Sequence, residues 1–285
     1  MSRIEKAMER AAQIRKGEVP VSETSRPAQF TSTAFTIPHT TSQMPEVQQT
    51  VFSDNPLLVT LNDPYSPTAE EYRKLKAVLV KMTYGEPFRN TMMITSAIPG
   101  EGKSITALNL AISLAQEFDH TVLLVDADLR RPAVHRYLNI ERKVRLSECL
   151  LNEADLSEAI IPTGIGRLSV VTSGREITNP GELFSSHRMK SMLEEIKHRY
   201  NDRYIIFDAP PLLPFAETRS LAHLVDGVIF VIKEELASQT NVRDAVETLK
   251  GANILGVVYN DANIAHNLER YHASYSYHSY AATGG

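Results

Sequence analysis

The stretch Thr95-Ser-Ala-Ile-Pro-Gly-Glu-Gly-Lys-Ser104 constrains this chain more than any other. An apolar run, Met92-Met93-Ile94, leads into it, and Ile105 to Phe118 after it reads as helix. A strand that turns through glycines and opens a helix with Lys-Ser is the setting of a phosphate-binding loop. Pro99 leads into the turn, and the backbone N–H groups of Gly100, Glu101, Gly102 and Lys103 can point inward to cradle triphosphate oxygens. The helix N-terminus adds its partial positive charge. In this reading Lys103 reaches the β- and γ-phosphates and the Ser104 hydroxyl holds Mg²⁺. Ala97 stands where the general pattern has its first glycine, a place that tolerates a small residue.

Downstream, Thr121-Val-Leu-Leu-Val-Asp-Ala-Asp-Leu-Arg-Arg-Pro132 reads as a buried parallel strand with carboxylates Asp126 and Asp128 at its C-terminal tip. Tyr204-Ile-Ile-Phe-Asp-Ala-Pro-Pro211 is a second, ending in Asp208. Further buried strands are expected at Gly227–Ile232 and Ile254–Tyr259, with helices near Ser186–Tyr200 and Asn241–Leu249. This alternation predicts an α/β fold of the P-loop NTPase type: a mostly parallel sheet with helices on both faces. Such sheets take ligands at the C-terminal ends of their strands. Asp126 and Asp208 therefore join Ser104 as expected Mg²⁺ ligands, one direct and one through water. A carboxylate in that place can instead cap a helix or pair with a cation. Asp126 and Asp128, two apart, can face the same way and take a proton from an incoming hydroxyl, provided Asp128 is at the site and not on the adjoining loop. Arg130 and Arg131 either steady phosphate charge or cover the surface.

The net charge of −4 gives no sign of a nucleic-acid partner, and Cys149, the single cysteine, excludes a disulfide framework. No apolar run approaches the roughly 20 residues of a membrane helix. The charged N-terminus lacks an apolar signal core. A cytoplasmic protein that reaches a membrane through a partner is expected. Residues 1–16 carry a thin apolar stripe (Ile4, Ala7, Met8, Ala11, Ile14), either a solvated helix or a docking helix. Residues 17–54, rich in Pro, Ser, Thr and Gln, read as a flexible linker, residues 55–263 as the P-loop domain, and residues 264–285 as a mobile tail holding Tyr271, Tyr275, Tyr277 and Tyr280. Thr68-Ala-Glu-Glu71 looks like a capping box, followed by Tyr72, Leu75, Leu79 and Met82 on one helical face. Glu70, Arg73 and Lys76 form a neighbouring stripe that spacing alone reads as a solvated charged edge.

Ala97–Ser104 as first Walker motif, Val125–Pro132 as the variant A′ motif and Ile205–Pro211 as Walker B together resemble the bacterial tyrosine kinases. Glu70-x-x-Arg73-x-x-Lys76 and the tyrosine cluster extend the likeness over roughly residues 55 to 285. The opening Met-Ser-Arg-Ile-Glu-Lys-Ala resembles autokinases encoded with exopolysaccharide and exosortase systems. The resemblance implies Mg-ATP-dependent autophosphorylation of the four tail tyrosines between subunits of a homo-oligomer, regulating exopolysaccharide polymerisation or export. It also implies other protein tyrosine substrates, and a membrane-anchored polysaccharide chain-length (co-polymerase) protein as activator. By the same likeness Asp126 is metal ligand and base, Asp128 its acidic partner, Asp208 the Walker B carboxylate, and Lys103 and Ser104 keep their loop roles. Asn260 contacts adenine, and Glu70, Arg73 and Lys76 contact a neighbouring subunit.

Three departures stand out. Lys76 replaces the second arginine of the contact motif, and Ile105 replaces a second hydroxyl while keeping its backbone N–H for phosphate. The membrane-spanning activator region fused to many such kinases is not in this sequence. Two other classes fit parts of the chain. Positioning and partition ATPases share the A′ and B strands, but they carry a lysine five residues before the loop lysine, where this chain has Ile98, and the tyrosine tail is foreign to them. A non-catalytic ATP-binding scaffold of a polysaccharide assembly machine would not need Lys103, Ser104, Asp126 and Asp208 together.

Overall fold

Short apolar runs bounded by turns set the architecture, because each is long enough for a strand and too short for a buried helix. The computed structural model describes residues 51–262 apart from positions 86, 87, 118, 142, 143, 175, 176, 178, 200 and 201. The expected docking helix, most of the linker and the tyrosine tail lie outside the described residues. In chain order the elements are α1 (Val59–Asn62), α2 (Pro67–Thr83), β1 (Thr91–Ser96), α3 (Lys103–Ala115), β2 (Thr121–Asp126), α4 (Val134–Tyr137), α5 (Leu146–Leu150), α6 (Leu156–Ala159), β3 (Ile161–Pro162), β4 (Leu168–Val171), α7 (Pro180–Ser185), α8 (His187–Arg199), β5 (Arg203–Asp208), α9 (Ala216–Ala222), β6 (Gly227–Lys233), α10 (Gln239–Thr248) and β7 (Ile254–Asn260).

The strands form one sheet in the order β3-β4-β2-β5-β1-β6-β7, parallel throughout except for the β3–β4 pair. Successive residues feed opposite faces, as strand geometry requires. On β1, Met92 and Ile94 join the core under α3, with Leu108, Ile112 and Leu114. Met93 joins the core under α8 and α10, with Met192, Leu193 and Ala245. Helix α3 is buried almost all round, which holds its N-terminus rigidly against the strand tips.

Local details depart from the sequence reading in three places. Helix α2 is capped by Ser66, whose Oγ accepts the Ala69 N–H at 3.2 Å, and not by a box at Thr68. Pro67 at the first helical position has the required φ and no N–H to satisfy, which moves the cap two residues earlier. Met82, expected on the core face, is 43% exposed in the last turn of α2. Residues 51–54, assigned to the linker, are tied down: the Val51 N–H donates to the Thr163 carbonyl at 2.7 Å, and buried Ser53 donates to the Tyr137 carbonyl at 2.5 Å. Strands β3 and β4 were not legible, being only two and four residues long.

Candidate active site

The parallel arrangement brings the tips of β1, β2, β5, β6 and β7 to one edge, and the loop between β1 and α3 crosses it. Gly100 and Gly102 both have φ of 91°, a left-handed conformation that glycine adopts without strain. An open cavity of about 450 Å³ lies over this loop. Of the residues expected at the nucleotide site, Pro99, Gly100, Gly102, Lys103, Ser104, Ile105, Asp128 and Asn260 line it. Glu101, Asp126 and Asp208 do not, and all three are fully buried.

Lys103 opens α3 and points at the acids. Its Nζ lies 2.9 Å from Asp128 Oδ2 and 3.5 Å from Asp208 Oδ1. Burial pulls the Lys103 ammonium down, but the Asp208 and Asp128 charges together outweigh it and push it up to about 12. It stays charged at any physiological pH. Asp128 is past the end of β2, on the adjoining loop, yet its carboxylate still reaches the site. Its Oδ1 accepts the Arg130 and Arg131 N–H groups at 3.2 and 2.9 Å, which fixes that loop.

Asp126 sits opposite Asp208 in the β2–β5 register. Both are fully buried. Asp126 turns away from the cavity: Oδ2 accepts the Ala133 and Val134 N–H groups at 3.0 and 3.1 Å, and Oδ1 the Asp128 N–H at 3.3 Å. It works as the cap of α4 and the anchor of the Asp128 loop. Burial, then the Asp208 charge, push Asp126 up to about 8. Burial also raises Asp208, and Lys103 offsets this only in part. The Oδ2 atom of Asp208 is buried without a hydrogen-bond partner.

That orphaned oxygen, beside the Ser104 hydroxyl, is the hard donor set a nucleotide-borne Mg²⁺ takes while keeping waters and phosphate oxygens as its other ligands. Among the described residues no group of three His, Cys, Asp or Glu side chains could cage a metal alone. The donor set therefore fits a cation that arrives with a triphosphate.

The two arginines after Asp128 divide. Arg130 donates to buried Glu217 at 2.6 Å, and its guanidinium lies 4.6 Å from the centre of the Phe215 ring, so it packs. Arg131 lines the cavity. The sequence reading missed Leu57, Tyr137, Pro211, Phe215, Lys233 and Asp261, which also line it. Of these only Pro211, beside Asp208 in sequence, carried a local signal. The stripe expected to contact a neighbouring subunit has partners within the chain: Arg73 Nε donates to Glu70 at 2.7 Å, and Lys76 pairs with Glu117 at 2.8 Å. The four tail tyrosines lie outside the described residues. No helix among the described residues is long and apolar enough to cross a membrane.

With this geometry in place, the chain can be set beside known proteins. A family model described as an AAA domain matches residues 90–254. Tyrosine-protein kinase YwqD of Bacillus subtilis is 35% identical over 224 residues, which cover 78% of this chain and 90% of YwqD. The succinoglycan biosynthesis transport protein ExoP of Rhizobium meliloti is 30% identical over 211 residues, 72% of this chain and 26% of ExoP. Among solved structures, the kinase domain of the Escherichia coli tyrosine kinase ETK superposes with a TM-score of 0.65 at 29% identity, covering 73% of this chain and 82% of that domain. A phosphate loop under a lysine, two strand-tip acids and a match of this extent agree: the chain belongs to the bacterial tyrosine-protein kinase family.

Proposed function

We propose that this protein is an ATP-dependent protein-tyrosine autokinase that acts on its own C-terminal tyrosines, Tyr271, Tyr275, Tyr277 and Tyr280. The observation that carries this reading is the convergence of Asp128 and buried Asp208 on Lys103, at the cavity that Lys103 and Asp128 line at the strand tips. In this proposal the loop N–H groups and Lys103 hold the triphosphate, and Ser104 with Asp208 holds Mg²⁺, whose charge neutralises the phosphates. As Lys103 turns to the phosphates it releases Asp128. A tyrosine hydroxyl then attacks the γ-phosphorus. The phenolic O–P bond forms, the bond to the β–γ bridging oxygen breaks, and the phenolic proton passes to the Asp128 carboxylate. Asp126, whose oxygens are taken by backbone N–H groups, positions the loop that carries Asp128 instead of acting as metal ligand or base. Asn260 takes the adenine side, and Ile105 adds its backbone N–H.

The proposed setting is a homo-oligomer joined through the Glu70, Arg73 and Lys76 stripe. Contact with a neighbour would require those side chains to exchange their present partners. A membrane-anchored co-polymerase protein is the proposed activator and recruits the kinase to the inner face of the membrane, with residues 1–16 as docking helix. Control of exopolysaccharide polymerisation or export is the proposed role, in line with the name of the relative ExoP.

Incubation of the full chain with γ-labelled ATP and Mg²⁺, followed by phosphosite mapping, tests this. Label is expected on tail tyrosines, and it should be lost in Lys103→Met and Asp128→Asn. Release of free phosphate with no label on protein would point to a positioning ATPase and sink the kinase reading.

A further inference from the structure

The Glu101 side chain lies outside the lining of the cavity and is fully buried. A buried carboxylate is costly unless its oxygens are bonded. Glu101 Oε2 accepts the Ile98 N–H at 2.9 Å, stapling the start of the loop to its middle. Oε1 faces the Lys233 N–H at 3.4 Å, at the end of β6. The Glu101 carbonyl accepts Asn260 Nδ2 at 2.9 Å, at the end of β7. Lys233 and Asn260 are register partners across β6 and β7, so both attachments reach a single rung of the sheet. Packing is close here: a Cβ added to Gly102 would lie 2.0 Å from Asn260 Nδ2.

We propose that Glu101 and Asn260 form a clamp that shapes the phosphate loop from the β6–β7 side, making Asn260 a positioning residue for the triphosphate whether or not it touches the base. In a trans peptide the carbonyl and the next N–H point in opposite directions. Holding the Glu101 carbonyl toward β7 therefore turns the Gly102 N–H away from β7, into the loop where phosphate oxygens bind. The Glu101 side chain removes the Ile98 N–H from the phosphate-binding set and fixes where the loop begins. Between glycines 100 and 102, both free to leave φ of 91°, this clamp supplies the rigidity that the glycines do not.

The inference rests on the nucleotide-site reading above, and the test keeps the two apart. Binding of ATP and of inorganic tripolyphosphate, each with Mg²⁺, is measured by calorimetry on the full chain, on Asn260→Ala and on Glu101→Gln. Tripolyphosphate has no base to contact. The clamp predicts that each variant loses about fivefold or more in affinity for both ligands, and by similar factors. The double variant should lose less than the product of the single losses, because one structure is broken twice. Melting midpoints of the ligand-free variants near wild type, with normal circular dichroism, separate a misshapen loop from an unfolded chain. Asn260→Ala that weakens ATP and leaves tripolyphosphate untouched would overturn the clamp and leave a base contact only. Wild-type protein that binds neither ligand would overturn the nucleotide site and the clamp with it.

Discussion

The central sheet treats carboxylates in opposite ways at its two ends. At the N-terminal end, Asp226 precedes β6 and is fully partnered: its Oδ2 accepts the Thr91 N–H and hydroxyl at 3.0 and 2.7 Å, and its Oδ1 accepts Lys197 Nζ. Burial raises it, but the Lys197 and Thr91 bonds outweigh that and hold it below the usual carboxylate range. At the C-terminal end, Asp126 and Asp208 face each other across β2 and β5, both raised, with one Asp208 oxygen bonded to nothing. Asp226 joins the sheet to α8 and asks for nothing more. At the other end the second Asp208 oxygen is left with bonding capacity that an incoming cation can take up. Unspent bonding capacity in a buried place is thus a better mark of function here than the presence of acids as such.

The largest expected effect falls on the two lysines that face these acids. Lys103→Met should lower the rate of phosphoryl transfer by at least about 10³-fold, since it removes a charge aimed at the transferring group. Lys197→Met, at the opposite end, should leave that rate within about twofold, a surface-proximal change far from the chemistry. Initial rates with labelled ATP measure both. Equal losses in the two variants would break the comparison.

A second consequence is a slope of stability with pH. The folded pKa of Asp126 is raised to about 8, and Asp208 is raised too, so the folded protein keeps protons that the unfolded chain has released. Stability from this source is greatest near the usual carboxylate range and is lost as pH rises toward the folded value. Asp226 is lowered, so its contribution is present above that range and lost only in acid. From about pH 5 to about pH 8, urea melts of ligand-free protein should therefore show falling stability, by at most about 1.4 kcal/mol per pH unit for each proton held. A flat profile would mean that the strand-tip acids are not strained.

Paired substitutions sharpen this further, because they should move stability and activity in opposite directions. Asp208→Asn removes a charge that its surroundings disfavour. The ligand-free protein should gain on the order of 1 kcal/mol and lose much of its pH slope, while transfer activity collapses. Asp226→Asn should cost about 1–2 kcal/mol through its lost bonds and leave the activity per folded molecule unchanged. Chemical denaturation beside rate measurement reads both quantities on the same samples.

What the sequence disclosed follows the same divide between local and distant partners. The phosphate loop, Asp126, Asp208 and the strands that end in them were legible because glycine spacing, apolar runs and strand-tip acids are consecutive in the chain. Which of Asp126 and Asp128 turns to Lys103 was not, because it depends on how the loop after β2 folds back. Asp126 is taken by the Ala133 and Val134 N–H groups, seven and eight residues on. The partners of Asp226 lie 135 and 29 residues away, and nothing near it in sequence signals them. Likewise Phe215 and Lys233 reach the cavity only through the order of strands in the sheet.

The smallest effect tests whether the contrast between matched and unmatched charge also holds within the C-terminal end. Arg130 and Arg131 are adjacent, and the sequence offered no way to choose between them. Arg130 is matched, by buried Glu217 and the Phe215 ring. Arg131 faces the cavity. Arg130→Ala strands the Glu217 carboxylate at 3% exposure, so it should cost about 1–3 kcal/mol of stability. Any effect of Arg130→Ala on KM for ATP should be slight. Arg131→Ala should leave the melting curve in place and raise KM for ATP a few-fold, since a solvent-facing cation near phosphate contributes about 1 kcal/mol or less. If Arg131→Ala instead destabilises the fold while Arg130→Ala weakens ATP, then burial and pairing do not sort function from structure at this edge. The reading of Asp208 by the same criterion would lose its footing.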